Sequence, residues 1–299
     1  MSVICIGTFD GIHLGHRKLL QTMLDIGKAE HIPALIISFQ DHPSFVINQN
    51  RAVSGLLCPA NLKVQVLQEL GFSEVELLDF TPALADMSAL DFLKQRIIAP
   101  YKPRYIVVGY DSHFGKGREG NRSFLEAHAA EYGYKVIYVE PLMDKGAPVS
   151  SSRIRQSLAQ GDIQEANRLL GRPYRLCGSV TQGISQGRKL GFPTANLALS
   201  NPHQLIPKEG IYFSRVHLED AVLFGLTNIG KSPTVKSAGI TEIESFLIDF
   251  KGNLYGKEIQ VELLKYLREE KMFANTEKLQ AAMQEDLRQA RLLIREQEG

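Results

Sequence analysis

The chain has 299 residues, a formal net charge of +1, 44% hydrophobic residues and 22% charged residues. That length fits two ordinary domains, and the near-zero charge excludes the broad basic footprint of a nucleic-acid or anionic-membrane binder. No apolar stretch approaches a membrane span, the N-terminus lacks a signal-peptide pattern, and three widely spaced cysteines (Cys5, Cys58, Cys177) point to a reducing cytoplasm without a disulfide framework or zinc site.

Val3–Ile6 has the pattern of a short buried strand. It runs into Gly7-Thr8-Phe9-Asp10-Gly11-Ile12-His13-Leu14-Gly15-His16 and then a helix over Gly15–Gly27. Strand, glycine-rich loop and helix make a phosphate site. Glycines let the backbone approach closely, and a helix N-terminus offers free N–H groups and a positive dipole end. His13 and His16 stand three apart at that mouth, where cationic or donor imidazoles suit the charge building on a departing pyrophosphate. The loop is not a Walker loop, since no G-K-[ST] follows, and G-x-G-x-x-G is absent.

Strand-like and helix-like runs then alternate. Strands are expected at Ala34–Phe39, Val75–Leu78, Tyr105–Val108 and Lys135–Val139, and helices at Asn61–Leu70, Ser88–Ile98 and Arg122–Tyr132. Ser88-Ala-Leu-Asp91 is a capping-box pattern opening one of them. Alternation of this kind predicts a Rossmann-like α/β domain: a parallel sheet with helices on both faces and ligands at the carboxyl ends of the strands. The loops there are Gln40-Asp41-His42-Pro43, Gly109–Gly120 and Val149–Arg155. Each alone is an ordinary turn, flexible loop or helix cap, but together they gather on one sheet edge.

Ser150–Leu170 reads as two short helices broken at Gly161-Asp162, and Gly171-Arg172-Pro173 marks a boundary, giving domains 1–171 and 172–299. Beyond it come short strand-like runs without intervening helices: Arg175–Thr181, Ile211–His217, Val222–Leu226, Ile243–Ile248 and Ile259–Leu264. They predict a small antiparallel β-barrel. A terminal helix follows, with Leu279, Met283, Leu287, Ala290 and Ile294 as its packing stripe. In Gly183–Leu197, the glycines with Arg188 and Lys189 suit phosphate, and Thr194 and Asn196 offer hard oxygen ligands for Mg²⁺. From spacing alone the same Pro193-Thr194-Ala195-Asn196 is a loop entering a strand. Alternation places Glu244 on one face with Phe246 and Ile248, a carboxylate on an otherwise apolar face.

The H-x-G-H stretch resembles the signature of nucleotidylyltransferases. With Phe39-x-x-His42-Pro43, Gly109-x-Asp111-x-x-Phe114-Gly115-x-x-Arg118-x-Gly120 and Ser150-Ser151-Ser152-x-Ile154-Arg155, the first half resembles the FMN adenylyltransferase half of the bifunctional prokaryotic riboflavin kinase/FAD synthetase family. The chain has Asp41, Ser112 and Ser152 where that family has proline, phenylalanine and threonine. The second half resembles riboflavin kinase through G-R-x-L-G-F-P-T-A-N-L, Asn228-Ile-Gly230-x-x-Pro233-Thr234, the stretch from Glu244 to Gly256, and Arg268-x-Glu270-Lys271-x-Phe273. Phe246 stands where many members have histidine.

The resemblance implies a bifunctional enzyme using ATP, Mg²⁺, riboflavin, FMN and FAD as co-substrates, cofactor or products. Gly7, Phe9, Asp10, Gly11, His13, His16, Ser150, Ser151, Ser152 and Arg155 would bind ATP for adenylyl transfer, with His13 and His16 on its triphosphate. His42, Asp111, Phe114 and Arg118 would meet the flavin nucleotide. In the kinase half, Gly183, Gly187, Lys189, Gly191, Pro193, Thr194, Asn196, Asn228 and Arg268 would bind ATP or flavin, Thr194 and Asn196 would hold Mg²⁺, and Glu244 would be the general base. The implied partners are small molecules, with no nucleic acid or membrane, and self-association is left open. Competing readings are another nucleotidylyltransferase or an aminoacyl-tRNA synthetase, which the kinase-like half and the charge count against, and a flavin-sensing paralogue that has lost one or both activities.

Overall fold

A computed structural model of the chain describes residues 1–47, 53–181, 194–231 and 241–298. It divides into two compact units, 1–151 and 152–299.

The first unit opens with β1 (Ser2–Ile6), α1 (Leu14–Glu30), β2 (Ala34–Phe39), α2 (Ser44–Ile47), α3 (Ala60–Glu69) and β3 (Glu74–Leu78). It continues with α4 (Pro82–Ala85), α5 (Ala89–Phe92), a π-helical stretch Leu93–Ile98, α6 (Ala99–Tyr101), β4 (Pro103–Gly109), α7 (Arg122–Tyr132), β5 (Lys135–Val139) and a small hairpin, β6 (Met143–Asp144) with β7 (Ala147–Pro148). The five long strands form a sheet of order β3-β2-β1-β4-β5, every pair parallel. Both faces are covered. Ile4, Ile6, Leu35, Ile37, Ile106 and Val108 join Phe92, Leu93, Ile97 and Leu125 in one core cluster. The alternating residues Val3, Cys5, Ile36 and Val107 are equally buried, the continuous apolar pattern of a two-sided parallel sheet. The chain runs outward from β1 to β2 and β3, then returns to β4 on β1's other side. The C-terminal ends of β1 and β4 therefore flank the switch point where such sheets bind ligands.

The capping box at Ser88 forms: its Oγ accepts from Asp91 N at 3.0 Å and donates to the Asp91 carboxylate at 2.6 Å. The predicted helix Ser88–Ile98 is nevertheless not regular. After one α-turn it widens into the π-helical segment, which buries Leu93 and Ile97.

The second unit holds most of α8 (Ser151–Gln160), then α9 (Ile163–Leu170), β8 (Tyr174–Thr181), β9 (Thr194–Leu199), β10 (Gly210–His217), β11 (Val222–Lys231), β12 (Thr241–Leu247), β13 (Glu258–Arg268) and α10 (Thr276–Glu298). Six antiparallel strands close a barrel of order β10-β11-β12-β9-β8-β13. Five were expected; β9 is the strand that the Pro-Thr-Ala-Asn loop enters. Inside the barrel, Tyr174, Tyr212, Ile229, Val261 and Leu263 are fully buried. A hydroxyl chain crosses three strands there, Ser214 to Thr227 at 2.8 Å and Thr227 to Ser245 at 2.9 Å. Each buried hydroxyl has its partner, so the chain fixes register without an unsatisfied polar group. Leu287, Leu293, Ile294 and Ala290 seat α10 on Phe213, Leu226 and Ile248.

Helices α8 and α9 pack on the barrel. Asn167 of α9 donates to Leu263 O at 2.8 Å and accepts from Tyr174 N at 2.8 Å, and Lys208 N donates to Leu158 O at 3.0 Å. Their apolar residues Ile154, Leu158, Ile163, Leu169 and Leu170 are buried.

Candidate functional site

At the end of β1 the backbone turns sharply. Gly11 has φ 89°, and Phe9 and Ile12 take left-handed φ values of 46° and 45°. A β-branched residue in that region is a strained outlier, and such strain concentrates at functional sites. Asp10, almost fully buried, holds the turn: its Oδ1 accepts from Leu57 N at 2.9 Å and Cys58 N at 3.0 Å, and its carbonyl accepts from Ser151 Oγ at 2.7 Å. The carboxylate expected to serve ATP is therefore occupied in shaping the loop.

His13 is the N-cap of α1, its Nδ1 accepting from His16 N at 3.3 Å. That fixes the His13 tautomer with its proton on Nε2. The two imidazoles stack with centroids 3.7 Å apart and planes 15° from parallel, and the Phe9 ring meets His16 edge-on at 5.3 Å. Gly15 makes room for the pair: a Cβ there would lie 3.1 Å from both the His13 ring and Val149 O. Burial first, then His13 and Lys63, hold the His16 proton affinity well below the usual histidine value. That disfavours the cationic form of His16. Its Nδ1 is buried and meets no hydrogen-bond partner, an open position at the N-terminus of a 17-residue helix.

The other expected residues of this unit fall in two groups. Asp111, Ser112 and Arg118 lie on the loop after β4. Arg118 NH2 is 3.0 Å from His113 Nδ1, and Ser112 Oγ accepts from Gly109 N at 2.9 Å, closing the turn where the family carries an aromatic ring. His42 Nδ1 lies 2.8 Å from Ser44 Oγ and accepts from Ser44 N at 3.2 Å, so it caps α2. Phe114, expected to meet the flavin nucleotide, lies on the inner side of the loop after β4. It is buried between Phe92 and Phe124, centroids 5.4 and 5.9 Å away, and pairs in backbone with Gly120. It braces the loop from within. Ser150 and Ser151 lead into α8; Ser152 and Arg155 fall in the second unit.

In the barrel, Glu244 has Asn228 opposite it on β11 and Asn196 opposite it on β9. The Thr194 hydroxyl is 3.5 Å from Glu244 Oε2. The same face is polar at the Glu244 end, where Glu242, Asn196 and Asn228 share it, and apolar at the other, where Phe246 and Ile248 join the α10 cluster. Burial, then Glu242 and Glu270, raise the Glu244 pKa above the usual glutamate value, against the Thr194 hydrogen bond. Asn228 donates to Glu270 Oε1 at 3.2 Å, while its own Oδ1 is buried and unpartnered. Arg268 grips the nearly buried Asp286 of α10 through Nε at 2.8 Å and NH2 at 2.6 Å. Its planar fork is committed to fastening that helix. Gly183, Gly187, Lys189, Gly191 and Pro193 lie outside the described residues.

One buried cation escaped the sequence reading. Lys63 of α3 is 4% exposed and donates to Phe39 O at 2.7 Å and Ser38 Oγ at 3.1 Å. Its neighbours in sequence, Leu62, Val66 and Leu67, carry the helix's buried stripe, and a lysine beside them has no signal that sets it apart from a solvated one.

A loop with a histidine pair at the switch point of a parallel sheet, followed by a closed barrel bearing an acid among oxygen donors, defines a two-domain enzyme that handles nucleotides. The family model described as FAD synthetase matches residues 1–153, and that described as riboflavin kinase matches residues 170–294. The bifunctional riboflavin kinase/FMN adenylyltransferase of Escherichia coli (strain K12) is 35% identical over 291 residues, covering 95% of this chain and 90% of that protein. The protein of the same description from Bacillus subtilis (strain 168) is 32% identical over 292 residues, covering 97% and 91%. A crystal structure described as a macrolide-efflux protein from Streptococcus pneumoniae superposes with a TM-score of 0.86 at 28% identity, covering 97% of this chain and 93% of that one. The chain belongs to the bifunctional riboflavin kinase/FMN adenylyltransferase family. Among the described residues no helix is long and apolar enough to cross a membrane.

Proposed function

We propose that residues 172–299 phosphorylate riboflavin with ATP to give FMN, and that residues 1–171 adenylylate FMN with a second ATP to give FAD and pyrophosphate. The observation that carries the second half of this reading is the stacked histidine pair at the start of α1, with His16 Nδ1 buried and unpartnered. The ATP phosphates lie against the α1 N-terminus and the Gly7–His13 loop, with Ser150 supplying a further donor and Ser151 holding the loop through Asp10 O. An FMN phosphate oxygen attacks the α-phosphorus, the α–β bridging bond breaks, and pyrophosphate leaves. No protein nucleophile is involved, so catalysis is positioning plus preorganised donors aimed at developing charge. His42, Asp111 and Arg118 border the flavin nucleotide.

In the barrel Glu244 takes the proton of the riboflavin 5′-hydroxyl as that oxygen attacks the γ-phosphorus, and ADP departs. Thr194 and Asn196 suit Mg²⁺, since both offer hard oxygens beside the Glu244 carboxylate. When bound, Mg²⁺ supplies charge neutralisation across the phosphate oxygens. The enzyme works in the cytoplasm on small molecules, without nucleic acid; its three free cysteines are all buried. Purified protein given riboflavin, ATP and Mg²⁺, with flavins resolved by chromatography, should accumulate FMN and then FAD. Tight flavin binding with neither product would instead support the flavin-sensing reading.

A further inference from the structure

An ammonium is rarely buried unless charge or hydrogen bonds compensate it. Lys63 is 4% exposed, and both oxygens it meets, Ser38 Oγ and Phe39 O, are uncharged. Ser38 is itself fully buried and passes its own proton to Thr8 O at 3.2 Å. A continuous chain therefore runs from α3 through the C-terminal end of β2 to the loop between β1 and α1. That loop carries the strained residues Phe9 and Ile12, and α3 is preceded by Leu57 and Cys58, whose amides hold Asp10. Two ties thus fix the same turn: Asp10 to the segment before α3, and Ser38 of β2, which Lys63 braces from behind. A lysine has three donors, and two are used here.

We infer that Lys63 is a positioning residue of the adenylyl-transfer site: its buried ammonium fastens α3 to the end of β2, braces the Gly7–His13 loop through the Ser38 hydroxyl, and keeps a positive charge near the histidine pair. The inference rests on the adenylyltransferase reading of that loop. An apolar residue of the same length would hold the helix in place but would supply neither the tie nor the charge. The charge acts on His16, whose proton affinity it lowers together with burial and His13. Burial lowers the proton affinity of Lys63 itself, opposed by Cys58, Asp10 and Asp41. The titratable groups that act on Lys63 and His16 are therefore His13, Asp10, Cys58 and Asp41. Asp41, where the family has proline, places a counter-charge near the same lysine.

The test uses the full chain with FMN, ATP and Mg²⁺, and follows riboflavin phosphorylation in the same preparation as a check on folding. Lys63→Met should lower kcat for FAD formation by about a hundredfold while FMN formation from riboflavin stays at the wild-type rate. Losing the positive charge lets His16 take a proton at higher pH, so the acid limb of FAD formation should move upward. A brace without an electrostatic role would leave that limb in place. Lys63→Arg keeps the charge and should hold the limb where the wild type has it, with part of the rate restored. Wild-type FAD formation in Lys63→Met, or a lowered rate with an unmoved acid limb, overturns the inference. Should the Met variant fail to fold, Ser38→Ala removes the tie and keeps the charge. It should lower kcat/KM for FAD formation by about tenfold, as loss of a hydrogen bond to a charged group does, and an unchanged value again overturns the inference. A wild-type chain that makes FMN yet never converts supplied FMN to FAD fails earlier, at the adenylyltransferase reading, and takes the inference with it.

Discussion

His13 and His16 stack face to face across the first turn of α1, with ring centroids 3.7 Å apart. Two imidazolium ions cannot share that geometry cheaply, and burial adds to the effect on His16. The pair therefore resists becoming doubly cationic, and His16 is the ring whose protonation is disfavoured. His13 is fixed by its cap hydrogen bond, and His16 is held by the Phe9 edge and the His13 face.

His16→Ala should depress FAD formation from FMN by about a hundredfold to a thousandfold, the usual loss for one preorganised donor. Riboflavin phosphorylation should persist, since it belongs to the barrel. Because the His16 pKa lies well below the ordinary value of about 6.5, wild-type FAD formation should stay level from pH 8 down through about 6.5. A steady-state pH series on both activities checks each point.

Glu244→Gln keeps the shape of the side chain and loses its capacity to accept the hydroxyl proton. Riboflavin phosphorylation should fall by about a hundredfold to ten-thousandfold, with FAD formation from supplied FMN intact. Retained kinase turnover would reassign Glu244 to a partner of Thr194.

The two boundaries invite a direct comparison of fragments. Residues 172–299 match the change of sequence pattern, but α8 and α9 bury Ile154, Leu158, Ile163, Leu169 and Leu170 within the barrel unit. Each fully buried aliphatic side chain contributes about 1.5–3 kcal/mol. A fragment of residues 152–299 should therefore unfold cooperatively and phosphorylate riboflavin, whereas one of residues 172–299 should be several kcal/mol less stable by denaturant titration. Equal midpoints would mean that the helices are ornaments on the barrel.

Much of this architecture was legible because parallel strands and amphipathic helices announce themselves. The run Ala34–Phe39 is wholly apolar apart from Ser38, and Arg122–Tyr132 sits between an Asn121 cap and a left-handed Gly133. What stayed hidden depends on distant partners. The direction of Phe114 is set by Phe92 and Phe124, and Arg268 is turned outward to Asp286, 18 residues on. Strand β9 was concealed because Thr194–Leu199 begins with polar and small residues, and only its pairing with β8 and β12 makes it a strand. Lys63 looked like any helix-surface lysine until β2 was laid against it. The boundary near Gly171 marks a change of pattern, which does not reveal that α8 and α9 cling to the barrel.

Glu262 of β13 offers a stability test of the barrel. It is 2% exposed on β13, with Arg175 Nε at 2.8 Å, His217 Nε2 at 3.1 Å and Arg215 NH1 at 3.5 Å. Burial alone would raise its pKa, but the close contacts of His217 and Arg175 outweigh it and lower the value. A carboxylate whose folded pKa lies below its unfolded value, about 4.3, adds stability that is complete above that value and is lost as pH falls through the folded pKa. Glu262→Gln should therefore destabilise the barrel at pH 7 by about 1–3 kcal/mol, because the neighbouring cations lose their buried counter-charge. The same change should flatten the decline in stability between about pH 5 and pH 3. Denaturant titrations of residues 152–299 across that range, with and without the substitution, measure both effects. Parallel pH curves for the two proteins would show that the carboxylate titrates no differently folded than unfolded.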